Sequence, residues 1–146
     1  MLQEIQDAIC ALRRESTSAF LSYVDADGYP VTRALLVLEH EKIGIQYFST
    51  NTSSRKVEAI LNNPKTSVYY CVPGSFQGAL FTGDMSVCTD AETKEFLWRD
   101  GFEMYYPKGV TDPDYCVLKL NARKVSYYHG LRQTVFSIQD EKLFVI

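Results

Sequence analysis

Apolar residues recur at three- and four-residue intervals at the start of the chain. Leu2, Ile5, Ile9 and Leu12 share one face, a period that predicts an amphipathic helix. The period then shortens to strand-like from Ala19 to Val24. Asp25-Ala26-Asp27-Gly28 supplies turn chemistry, with Gly28 free to take positive φ, and Pro30 restarts an extended run to Leu38. On that run Arg33, Leu35 and Val37 share one face and Ala34, Leu36 and Leu38 the other. Both faces are mostly apolar, which predicts a strand covered on both sides. The charged turn Glu39-His40-Glu41-Lys42 leads to a third strand, Ile43 to Ser49, and the three predict an antiparallel meander.

A helix is expected from Ser54 to Leu61 with Val57, Ile60 and Leu61 as its buried stripe. Asn62-Asn63-Pro64 ends it, because proline disfavours helical geometry in the residue before it. Strands follow at Thr66–Val72 and, past the Pro73-Gly74 turn, at Gly78–Cys88. Asp90 is placed to cap a helix running through Asp100, with Phe96 and Leu97 inward. A loop rich in Tyr, Pro and Gly spans Gly101 to Asp114, a length at which loops are often functional. Tyr115–Ala122 and Val125–His129 read as two further strands, and a short hairpin begins near Thr134. Without repeat or linker, the 146 residues read as one domain. The class is mainly β with peripheral helices, a six- to seven-stranded antiparallel barrel, closed or nearly so.

Composition narrows the function. A net charge of −3 and no basic run longer than two residues argue against nucleic acid, which is gripped by clustered Lys and Arg. Cys10, Cys71, Cys88 and Cys116 lack metal-ligand spacing, and His40 and His129 are the only histidines, so no metal site is expected. The opening MLQEIQDAIC carries two acids and no uninterrupted apolar core, unlike a signal peptide, and no stretch has the apolar length of a membrane span. A reduced, cytoplasmic protein is the expectation. The load of 10 Tyr and 8 Phe suits interfaces and ligand clefts that are half apolar and half wet.

The window Thr50-Asn51-Thr52-Ser53-Ser54-Arg55-Lys56 carries the most chemistry. A strand ends, hydroxyl and amide residues follow, and a helix begins whose first amides and partial positive charge attract anions. Thr50, Ser53 and Ser54 add hydroxyl donors, Arg55 can fork onto two phosphate oxygens and Lys56 adds a point charge. The same pattern also fits Ser53 or Ser54 simply capping the helix while Arg55 and Lys56 are solvated. Arg33, in an apolar strand, demands a partner: Glu39, Glu58 or an anionic ligand.

Three stretches together, FLSYVDADGYPVTRALLVL, IQYFSTNTSSRKVEAILNNPKTSVYY and LFTGDMSVCTDAETKEFLW, resemble the pyridoxamine 5′-phosphate oxidase-like, FMN-binding split-barrel superfamily, in particular its general-stress and uncharacterised flavoprotein branch. The resemblance covers nearly the whole chain. It implies a split barrel with FMN at a homodimer interface. Arg33 matches the arginine that reaches the phosphate, and Ala34 and Leu35 the backbone contacts to the ring. Phe48, Ser49 and Thr50 match the strand end beside ring and ribityl chain, and Ser54, Arg55 and Lys56 the phosphate group. Gln77 takes the place of the family glutamine, and Trp98, Tyr105, Tyr106 and Tyr128 are candidate aromatic walls.

Departures from the pattern bear on the substrate. Leu38 stands where the vitamin-synthesising oxidase has a substrate-gripping lysine, and Tyr128-His129-Gly130-Leu131-Arg132 lacks its Arg-x-His order, so pyridoxamine phosphate is not the expected substrate. The expectation is an FMN-dependent oxidoreductase drawing electrons from a reduced nicotinamide or another flavin, with no catalytic side chain identified. A non-catalytic flavin-binding stress protein is the alternative. Other members of the superfamily use haem, for which only His40 or His129 could serve as axial ligand, or the deazaflavin F420.

Overall fold

The computed structural model describes residues 1–38 and 41–146; Glu39 and His40, and with them the readings placed on those residues, lie outside the described set. Helix α1 (Leu2–Glu15) leads into strands β1 (Ser18–Val24), β2 (Pro30–Leu36) and β3 (Ile45–Asn51). Helix α2 (Arg55–Asn62) precedes β4 (Lys65–Val72) and β5 (Gln77–Cys88), and helix α3 (Ala91–Leu97) precedes the long β6 (Tyr115–His129). The hairpin β7 (Arg132–Gln139) and β8 (Lys142–Val145) closes the chain.

All eight strands join one antiparallel sheet in the order β2-β1-β4-β5-β6-β7-β8, with β3 also paired to β6. The long β6 explains this branching. Its one edge pairs with β5 along nearly its whole length, while the other serves β3 at Tyr115–Asn121 and β7 at Lys124–His129. Six strands thus curl into a barrel that stays open between β2 and β3, and β7 and β8 extend the wall. Among the described residues the count is eight strands against the six or seven expected, and the barrel is split.

Period-two burial builds the interior. Leu21 and Tyr23 of β1, Phe48 of β3 and Val68 and Tyr70 of β4 point inward with Phe81, Leu118, Leu120 and Val125. Helix α1 plugs the barrel with Ile9 and Leu12, each burial being worth roughly 1.5–3 kcal/mol. Its last turn also buries Arg13, whose guanidinium donates to the carbonyl of Lys42 and to Gln46 Oε1, each at 3.0 Å, while the Tyr70 hydroxyl donates to the same Oε1 at 2.9 Å. A second core lies outside the barrel, where Leu38, Leu97, Phe102, Tyr106, Tyr115 and Val117 gather beneath the 101–114 loop.

Several expectations need correction. The first three strands are not a meander: β2 pairs with β1, but β3 crosses to β6. Strand β2 is largely exposed instead of covered on both faces, although Val31 and Leu35 still rest on the core. The two strands read at Tyr115–Ala122 and Val125–His129 are one. Arg123 is the extra residue of a bulge opposite Thr82 and Gly83, and this bend, not a turn, breaks the alternation. Gly83 is required there, because a Cβ would collide with the Asn121 carbonyl. Leu61 and Phe96 are exposed, not buried. The buried line of α2 runs through Val57 and Ile60 alone, and the short α3 turns Lys94 and Leu97 inward, leaving Phe96 edge-on to Tyr47 at the surface.

Candidate functional site

The site begins with the split. Among the described residues β2 pairs only with β1 and β3 only with β6, so each strand leaves one backbone edge unpaired where the two approach. Such an edge presents a row of N–H and C=O groups without partners from the sheet. Arg33, Ala34 and Leu35 lie on one of these strands and Phe48, Ser49 and Thr50 on the other. Ala34 is exposed and Leu35 and Ser49 are half-buried. The side chains of Phe48 and Thr50 turn into the protein, so what they offer toward the split is main chain.

Beyond β3 the chain folds into a tight turn that delivers α2. The main-chain N–H groups of Thr52 and Ser53 donate to the Asp114 carbonyl and to Asp114 Oδ1, each at 2.8 Å, and the Asn51 amide donates to Asp114 Oδ2 at 2.8 Å. Those bonds to Ser53 and Asn51 hold the Asp114 carboxyl below the ordinary carboxylate range. Ser54 occupies the N-cap position with extended geometry, yet its side chain caps nothing. Its Oγ is buried and, among the described residues, has no hydrogen-bond partner. A buried hydroxyl left so costs about 1–3 kcal/mol, which an incoming anion at the helix start would relieve. The simple capping alternative is therefore not what this turn does.

Cations gather around it. Arg33 and Arg55 line one cleft of about 440 Å³ with Tyr23, Asp27, Glu58 and Asn62. Arg33 is exposed, not buried as its apolar strand suggested, and donates to the Thr32 carbonyl at 3.0 Å; among the described residues it forms no ion pair. Lys56 is half-buried, and burial, then the nearby Arg33 charge, lowers its pKa. The Arg33 and Lys56 charges repel each other, and an anion beside them would offset the repulsion. Ser54 lines the neighbouring recess with Thr52, Ser53 and Glu58, so the helix start and the cationic cleft lie on adjoining sides of α2, a donor set whose chemistry suits a phosphate group.

The remaining candidates lie elsewhere. Gln77 sits three strands across from Arg33 and four residues along from its row, accepting from the Tyr127 hydroxyl at 3.1 Å, so a single chain does not bring it to the turn. Trp98 and Tyr106 pack in the second core with Phe102 and Tyr115, whose own hydroxyl is pushed up to about 12 by burial. Tyr105 is exposed, and Tyr128 bonds Tyr69 at 2.7 Å. His129 lies exposed at the end of β6. No cluster of metal-binding side chains occurs among the described residues. The residue that sequence reasoning missed is Asp114. Its signal was the Asp-Pro-Asp at the end of the loop, a pattern rich in main-chain-bonding side chains.

The open six-strand barrel with peripheral helices is a split β-barrel. The chain belongs to the pyridoxamine 5′-phosphate oxidase-like family, whose signature it matches over residues 4–143. It is similar to a Clostridium acetobutylicum protein related to general stress protein 26 of the pyridoxinephosphate oxidase family, at 33% identity over 94% of this chain and 97% of that one, with a TM-score of 0.85. A pyridoxamine 5′-phosphate oxidase-related, FMN-binding protein of Nostoc punctiforme shares the fold at 18% identity, covering 97% and 93% of the two chains (TM-score 0.67). So does a haem-binding protein of Mycobacterium smegmatis at 9% identity, over 90% of this chain and 57% of that one (TM-score 0.73). Among curated protein sequences none matches.

Proposed function

We propose that this protein is an FMN-binding oxidoreductase that works as a homodimer. The observation that carries the reading is the turn at α2, where the uncapped helix start leaves the buried Ser54 hydroxyl unpartnered, Arg55 shares a cleft with Arg33, and Lys56 lies near enough to Arg33 to feel its charge. Ser54, Arg55, Lys56 and Arg33 would hold the phosphate. The free edges at Arg33–Leu35 and Phe48–Thr50 would offer main-chain groups to the polar rim of the ring system. Bound FMN would supply electron transfer, and the protein would orient it and set its electrostatic surroundings. Electrons would come from a reduced nicotinamide or flavin. The exposed strand β2, with Leu36 58% exposed and Phe20 beside it on β1, supports a second copy seated there, which would bring its own Gln77 nearer the ring. Leu38 packs in the second core, consistent with its having no substrate-gripping role. Four free cysteines suit the reducing cytoplasm.

A visible spectrum of freshly purified protein, followed by anaerobic titration with NADH and NADPH, tests the reading. A flavin spectrum bleached by either nucleotide faster than free flavin is expected. Protein that stays colourless after incubation with FMN would sink it, and bound flavin that neither nucleotide reduces would leave a binding protein without reductase activity.

A further inference from the structure

The carboxylate of Asp114 lies against the turn that the FMN reading assigns to the phosphate. By charge alone it should hinder a dianion, yet its hydrogen bonds shape that turn. Oδ1 accepts the Ser53 N–H and Oδ2 the Asn51 amide, both at 2.8 Å, while its carbonyl accepts the Thr52 N–H at 2.8 Å. One residue thus fixes Asn51, Thr52 and Ser53, the whole approach to Ser54.

Asp114 is itself anchored from both sides. Its own N–H donates to Asp112 Oδ1 at 2.9 Å, and Asp112 Oδ2 accepts from the Lys108 N–H at 3.1 Å. Asp112 is buried, and its carbonyl accepts from the ammonium of Lys94 at 3.0 Å. On the other side Tyr115, fully buried among aromatic rings, pairs in register with Asn51. The 101–114 loop and the β3–α2 turn are therefore braced against each other by the strand pairing, by the Asp114 carbonyl and, through side-chain bonds to Asn51 and Ser53, by its carboxylate.

We propose that Asp114 is a positioning residue for the cofactor's phosphate, an inference that rests on the FMN reading above: it holds the 51–53 turn so that the Ser54 hydroxyl and the first amides of α2 face the anion. The bracing acts on the phosphate end alone, so it discriminates FMN from riboflavin, which lacks that group.

The test is FMN and riboflavin affinity, read by quenching of flavin fluorescence, for the full-length wild type, Asp114→Ala, Asp114→Asn and Asn51→Ala. Asp114→Ala should bind FMN about tenfold more weakly or worse and riboflavin as the wild type does. Asp114→Asn drops the charge and keeps an oxygen for the Ser53 N–H. With the Asn51 amide turned over so that its Oδ1 accepts from the new NH2, both bonds persist, so this variant should bind FMN as well as the wild type or better. FMN affinity unchanged or raised in Asp114→Ala overturns the inference, since the carboxylate would then be only a nearby charge. Equal losses of FMN and riboflavin overturn it too, as a general structural role. Should Asp114→Ala not fold, Asn51→Ala carries the decision: a selective loss of FMN supports the bracing, and an unchanged FMN-to-riboflavin ratio overturns it. Wild-type protein that binds neither flavin removes the FMN reading and this inference with it, whereas wild-type FMN binding with unaltered variants removes this inference alone.

Discussion

Arg55 and Arg33 point into the same cleft from different elements, one at the first position of a helix and the other midway along a strand. Hydrogen bonds to a charged partner are worth about 1.5–3 kcal/mol, so Arg55→Ala should weaken FMN binding roughly ten- to a hundredfold. Riboflavin affinity should not move, and fluorescence titration with both flavins checks this. Asp114 gives the pH dependence. Its folded pKa lies below the ordinary value, so the stability it contributes is fully present above about pH 4 and lost as pH falls through the folded value. The melting temperature of cofactor-free wild type, less that of Asp114→Asn, should be constant near neutrality and vanish in acid. A difference that persists in acid would contradict the assignment. At this scale the sequence was most legible where chemistry is local. The hydroxyl run and Arg55-Lys56 marked the window of the proposed anion site from local pattern alone, whereas Asp114 acts across 61–63 residues of chain, a separation no local pattern encodes.

Helix α1 is fastened to the barrel by burial and by polar bonds. Removing the Arg13 guanidinium strips donors from the Lys42 carbonyl and Gln46 Oε1 inside the protein. Arg13→Ala should cost about 3 kcal/mol and lower the urea midpoint without changing its slope. The bulge in β6 makes a comparable demand. Gly83→Ala would force a methyl against the Asn121 carbonyl and within 2.9 Å of Ala122 Cα, at a cost of roughly 2 kcal/mol that thermal melting would register. Element types were readable because periods of 3.6 and 2 are properties of single segments. Pairing was not, because β3 pairs with β6, some 64–76 residues further along the chain, and no local window contains both partners. The bulge misled in the same way: Arg123 interrupts the alternation as a turn would, yet the strand continues through it.

For the molecule as a whole, the misread strand β2 is the most informative. Its two apolar faces implied cover on both sides, and in the single chain that cover is missing over Leu36 and Phe20. On the proposed homodimer, a second copy would account for both the sequence and the exposure. Leu36→Glu should therefore give a folded monomer in sedimentation where the wild type sediments as a dimer, and should weaken flavin binding as the partner's contribution is lost. A wild type that is monomeric at micromolar concentration would remove this expectation.

The split carries a cost of its own. Two strands with bare edges facing one gap are templates onto which a stray strand from another molecule can add. On the FMN reading, a ligand wedged between them would act as a guard as well as a reagent. Protein made under flavin starvation should then form oligomers and turbid deposits during storage, while the same preparation reconstituted with FMN stays clear. Static light scattering over days would follow the divergence, and the cofactor's first service to this protein would be to keep it from its neighbours.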